Sequence, residues 1–121
     1  MFTLQDKAKQ DADFIVTILT NAHFYNTAPE ESEQKIAYEL GEENRDKILG
    51  LIEKIHESQK NNPCSLKFFE YFIHLMEYGD NMETYSPGTC EKMAYEMDND
   101  LRTGVLQIIK KIRDFNPYHI I

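Results

Sequence analysis

Residues 66–78 read LKFFEYFIHLMEY. Phe68, Phe69, Tyr71, Phe72, Ile73, Leu75 and Met76 crowd this run. Its polar members, Lys67, Glu70, His74 and Glu77, recur at threes and fours. At 3.6 residues per turn that spacing draws one narrow polar stripe down an otherwise apolar cylinder. A helix apolar over most of its circumference belongs inside a fold. The stretch is therefore expected to be a central helix, with Phe69 and Ile73 buried and the rest of the chain wrapped around it.

Working outward, periodicity of the same kind fills most of the chain. Thr3, with Asp6 three positions on, reads as a cap for a first helix. Leu4, Ala8, Ala12, Ile15, Ile18, Leu19 and Ala22 give that helix its seam, ending near Phe24. Thr27-Ala-Pro-Glu30 reads as the next start, a threonine cap with proline in the first turn. Ile36, Ala37 and Leu40 follow it. The pattern resumes at Ile48, Leu51, Ile52 and Ile55 after an interruption around Gly41–Asn44, so residues 29–58 are expected to be two helices. Asn61-Asn62-Pro63 marks a loop, and residues 79–89 form the longest irregular segment.

Ser86-Pro87 or Thr89 then caps a single last helix, with Met97, Leu101, Val105, Ile108, Ile112 and Phe115 as its seam. Acids in its first half and bases in its second complement the helix dipole. Nothing alternates with period two, so no sheet is expected. The expectation is an all-α, single-domain bundle of about five helices spanning residues 1–121, with no repeat, low-complexity tract or linker.

Composition narrows the class. The chain has 121 residues, 21 acidic against 13 basic, and a net charge of −8. That length buries a core without staples, and 41% apolar content is too high for a disordered acidic tail. No apolar run reaches the roughly 18 residues of a membrane span. The N-terminal residues lack a signal-peptide stretch, so a cytoplasmic protein starting here is the expectation. Cys64 and Cys90 precede different helices and are expected at opposite ends of the bundle, too far apart to pair. Both read as free thiols.

Candidate chemistry is sparse. Glu53-x-x-His56 has the spacing that di-iron bundles use, and Glu70, His74 and Glu77 lie on one face. Such a site wants two such pairs and two further glutamates, from four helices. The first helix has no glutamate, so no cofactor or metal is expected.

Arg113-Asp-Phe-Asn-Pro-Tyr-His119 resembles the arginine, polar residue, spacer, histidine pattern of HEPN-type ribonucleases, which are small and all-helical. The resemblance covers seven residues and implies metal-independent RNA cleavage with Arg113 and His119 catalytic. Pro117 interrupts the helix on which that family holds both side chains, and a helix followed by a C-terminal tail accounts for the same residues. Residues 91–112 resemble a helix-turn-helix, with Asp98-Asn99 turning and Val105, Ile108 and Ile112 anchoring a recognition helix. That would imply a DNA-binding regulator. Against it stands charge, because phosphate contacts supply most DNA affinity, while this segment sets Glu91, Glu96, Asp98 and Asp100 against its few bases. A single amphipathic helix explains it more simply.

DNDLRTGVLQIIKKIRDFN (98–116) also resembles the last helix of the nuclease-colicin immunity proteins, and ADFIVTILTNA (12–22) their first. Those are small acidic four-helix inhibitors of a basic toxin domain. Their short aromatic helix, with paired tyrosines before a proline, has only Tyr85-Ser-Pro87 as a counterpart here.

The charge layout carries the preferred reading. Residues 30–57 hold nine acids against four bases, while residues 91–115 balance at five and five. A solvated face that keeps the protein soluble would account for this. The sharper reading is an electronegative surface for a basic partner such as a nuclease or another nucleic-acid-binding protein. Its candidate residues are Glu42, Glu43, Asp46 and Glu53, with Asp80, Glu83 and the aromatic Tyr85 on the neighbouring loop. On this reading the protein is a non-enzymatic inhibitor, immunity or anti-defence protein, or an adaptor. A helix-turn-helix regulator and a HEPN-like ribonuclease are the alternatives, and neither membrane nor nucleic acid is the expected partner.

Overall fold

The computed structural model describes residues 4–58 and 66–115. Cys64, Pro117 and His119, with the Thr3 cap and the Asn61-Asn62-Pro63 loop, lie outside the described residues, as do the side chains of Lys67 and Arg113. The fold is an all-α bundle. Helix α1 spans Leu4–Thr20, α2 Glu33–Leu40, α3 Glu42–Ser58, α4 Leu66–Tyr78, α5 Cys90–Glu96 and α6 Asn99–Phe115. Single 3-10 turns follow α1 (Ala22–Phe24) and α4 (Gly79–Asn81), and no strand occurs among the described residues.

The expected central helix is central. Phe68, Phe69, Phe72, Leu75 and Met76 of α4 are each at most 2% exposed, whereas Glu70, His74 and Glu77 face solvent. Ile73 departs from expectation. It is half-buried, packed on the rim of the core, because it lies beside the polar stripe.

Three boundaries differ from the sequence reading. Helix α2 starts at Glu33, not at Thr27. Tight turns occupy the segment before it, with the Ala28 and Ser32 amides donating to the carbonyls of Tyr25 and Pro29. Glu31 has φ 67°, outside the right-handed helical region. Only at Ser32 can a helix begin, and there the hydroxyl oxygen accepts from the Lys35 amide at 3.1 Å. The break between α2 and α3 occupies Gly41 alone (φ 90°, ψ 153°), a conformation essentially reserved for glycine.

The expected single last helix is two, α5 and α6, which gives six α-helices among the described residues, in keeping with a bundle of about five. Thr89 caps α5 at 3.1 Å to the Lys92 amide, Met97 is extended, and Asp98 caps α6 at 2.8 Å to the Leu101 amide. Met97 and Leu101 are both buried, so the apolar period runs across the break undisturbed.

The fold also overturns the expectation of a chain without repeats. Residue by residue, the second half repeats the first at a constant offset of 57 positions (35 to 92). KIAYE (35–39) answers KMAYE (92–96), and Arg45, Leu49, Ile52, Lys54 and Ile55 answer Arg102, Leu106, Ile109, Lys111 and Ile112. The 3-10 turns and the pair α3 and α6 match end to end at that offset. Fine structure repeats as well. Lys35 Nζ donates to the Asn26 carbonyl at 2.6 Å and Lys92 Nζ to that of Glu83 at 2.7 Å. Arg45 reaches the carbonyls of Ala37 and Tyr38, as Arg102 reaches those of Ala94 and Tyr95. The left-handed turn residue is Glu31 in one half and Gly88 in the other.

The halves are not packed side by side as separate units. Helix α2 lies on α6 and α5 on α3, while α1 and α4 meet each other. Exchanging the halves maps this arrangement onto itself, the pattern of an approximate two-fold axis between α1 and α4. The cores are complementary at the axis: small Ala12 in α1 stands where α4 has Phe69, and Ile15 where it has Phe72.

One close approach tests the packing. A Cβ on Gly79 would come within 2.7 Å of Arg102 Cδ and 3.2 Å of the Ala94 carbonyl oxygen. Its counterpart Ala22 carries a Cβ and is fully buried. Gly79→Ala should therefore destabilise the fold by about 1–3 kcal/mol, the usual cost of overpacking. A urea midpoint unchanged from wild type would show that Arg102 can move aside.

Candidate functional site

Helix α3 carries most of the predicted site because its buried face is set by Arg45, Ile48, Leu51, Ile52 and Ile55. The opposite face is left to Glu42, Asp46, Glu53 and Glu57, all exposed. At 100° per residue these four acids fall within about 60° of arc, in a stripe about 22 Å long. Glu43 is exposed in the first turn but lies about 100° round the helix from Glu42, off the stripe.

Asp80, Glu83 and Tyr85 are exposed too, Tyr85 at 47%. They belong to the connection between α4 and α5. Its far end meets α3 where the Lys54 charge acts on Cys90, about three turns from Glu42 and Glu43. Glu42, Asp46 and Glu53 thus share one face of α3, and the loop ends at Cys90 near Lys54, the neighbour of Glu53. The Glu83 backbone has a second task, as the carbonyl that the Lys92 ammonium clamps.

Near Tyr85, burial and the Glu91 carboxylate act on the Tyr71 phenol and the Cys90 thiol. Tyr71 Oη donates to Glu91 Oε2 at 2.5 Å, tying α4 to α5. Burial first, then that hydrogen bond and the Glu91 charge, push the Tyr71 phenol above its ordinary value. Burial and the same carboxylate push the Cys90 thiol up. Cys90 is a free, buried thiol, and a protonated one is a poor nucleophile.

Between α1 and α3 runs an open cleft of about 490 Å³, lined by Asp13, Val16, Thr17, Leu49, Ile52, Glu53 and His56. His56 closes one end, its ring 4.5 Å from that of Phe68 and tilted by 31°. Burial lowers the affinity of His56 for a proton, and the Asp13 charge opposes this only in part. No group of three or more His, Cys, Asp or Glu among the described residues is arranged to hold a metal. Glu53 and His56 face this cleft.

Sequence reasoning missed Asp13, which reads as one acid among several in α1 until α3 is laid beside it. It also missed Glu31, held in a left-handed conformation that costs a non-glycine residue about 1 kcal/mol. Matching Glu31 to Gly88 would have found it. The turn expected by the helix-turn-helix reading falls at the α5–α6 break. The first half has the same break at Gly41, so it belongs to the repeated unit. Comparison of the chain with protein-family models, curated proteins and solved structures finds no match.

Proposed function

We propose that this is a non-enzymatic binding protein that engages a basic partner protein through the exposed face of α3. One observation carries the reading. Because the fold is built twice, its second half is an internal control for its first. The stripe positions Glu42, Asp46, Glu53 and Glu57 correspond to Asn99, Thr103, Lys110 and Asp114. The same helix in the same fold keeps an acid at only one of the four positions, so folding does not call for a continuous acidic stripe. A single-sign stripe on a regular helix suits electrostatic steering toward a basic surface. A nuclease or another nucleic-acid-binding protein presents such a surface, with these carboxylates standing where phosphates would. That is the physical type of a stoichiometric inhibitor or immunity protein, and an anti-defence protein or adaptor would use the face in the same way.

The test is charge reversal. Glu42→Lys, Glu43→Lys and Asp46→Lys together should slow association with the partner and weaken it steeply as salt shortens the Debye length from about 10 Å at 0.1 M to about 3 Å at 1 M. Thermal stability should stay nearly unchanged, since exposed charges contribute little to folding. Pull-downs from the native host, wild type beside the triple variant, read the outcome. Equal recovery of the same proteins would leave the acids with solubility as their sole task.

A further inference from the structure

The cleft between α1 and α3 adjoins the acidic stripe at Glu53, and its lining is unlike the stripe. Val16, Leu49 and Ile52 supply apolar wall, while Asp13 and Glu53 bring carboxylates from two different helices. Both acids are exposed at the mouth, and Ile52 is buried at the floor. We infer that this cleft is a socket for one arginine side chain of the partner, an inference that rests on the binding role proposed above.

The chemistry fits arginine better than any other side chain. Its three-carbon stem covers apolar wall while its head stays polar. The planar guanidinium has five donors in a fixed fork, so it satisfies carboxylates approaching from opposite walls. It is also more weakly hydrated than an ammonium and loses less on entering a half-apolar cleft. The open cleft, about 490 Å³, has room for one side chain. His56 presents its ring to the cleft, and burial there works against the protonated form.

The repeat supplies an independent argument. The cleft positions Asp13, Glu53 and His56 correspond in the second half to Glu70, Lys110 and Arg113. In the sequence, lysine thus takes the place of the Glu53 carboxylate in the second half, a charge that would repel a guanidinium. The apolar positions do not change in kind: Val16, Leu49 and Ile52 correspond to Ile73, Leu106 and Ile109. The apolar character of these positions is kept in both halves and the charge beside them is not.

The experiment needs no partner in hand. Amide NMR spectra of the full chain are recorded during titration with a capped Gly-Arg-Gly tripeptide. The same peptide with lysine or with citrulline, the neutral isostere, in place of arginine serves for comparison. Saturable shifts confined to residues 13–17 and 49–56 are expected with arginine, weaker ones with lysine and none with citrulline. Asp13→Asn with Glu53→Gln should weaken the arginine response about tenfold or more, the loss of a charge-assisted hydrogen bond. Both residues are exposed, and the spectrum itself reports whether the variant is folded.

Equal responses to arginine and citrulline, a stronger response to lysine, or no saturable shift would overturn the socket. The charge-reversal variant at Glu42, Glu43 and Asp46 keeps the cleft residues, so the two proposals fail separately. Loss of partner without an arginine response would remove only the socket. An arginine response with unchanged pull-downs would remove only the role of the stripe.

Discussion

Arg102→Ala is expected to lower the unfolding free energy by about 2–4 kcal/mol, read as a shift in the urea midpoint at constant slope. Arg102 is only 4% exposed. Its guanidinium turns back across the α5–α6 break and donates to the carbonyls of Ala94, Tyr95 and Met97. These groups end a short helix whose dipole places negative charge there, so a buried cation suits them twice over. Alanine would leave carbonyls in the core with less than their share of donors and remove the packing of the stem. The counterpart Arg45 is 8% exposed and reaches two carbonyls, so Arg45→Ala should cost less than Arg102→Ala. Equal midpoints for Arg102→Ala and wild type would mean that water replaces the guanidinium.

Phe69→Ala should cost about 3–5 kcal/mol, the range for an aromatic removed from a core that only partly collapses. Phe69 is 1% exposed and meets Phe68 edge-on at 5.9 Å, and Phe68 in turn stacks with Phe72. Its symmetry-related position is Ala12, so no second large side chain stands ready to fill the void. Glu77→Ala, on the polar stripe of the same helix, should change stability by less than about 0.5 kcal/mol. Urea melts that ranked these two the other way would place α4 on the surface.

How far the fold was legible depended on which physical signal each element left in the sequence. Helix α4 was legible because its polar residues are few and evenly spaced, and the α2–α3 break because Gly41 stands alone between apolar periods. The α5–α6 break left no such mark. Met97 and Leu101 continue one seam through an extended residue, and the cap is Asp98, one acid among several. The start of α2 was misplaced because Thr27 and Pro29 imitate a cap, while the left-handed turn at Glu31 uses a residue that gives no hint of it.

The repeat was written in KIAYE and KMAYE. It was hidden elsewhere because the axis is filled by unlike residues, Ala12 against Phe69 and Ala22 against Gly79. The candidate site was legible as charge on α3. The cleft was not, since Asp13 and Glu53 come together only through the packing of α1 against α3.

The crossed packing has a consequence for how the protein comes into being on the ribosome. Helix α2 rests on α6, and Leu40 packs against Gly104, where an added Cβ would sit 2.9 Å from Leu40 Cδ2. At about 5–20 residues per second of synthesis, Leu40 waits some seconds before Gly104 exists. During that interval Ile36, Ala37 and Leu40 have no long helix from the other half to cover them. Helical bundles ordinarily fold fast because their contacts are local, but here the contacts that close the core join distant halves of the chain. The chain's own second half, tethered to the first, has the advantage of effective concentration over that of any neighbouring chain. Closure of the core therefore waits for α5 and α6, and the long-range contacts between the halves form last.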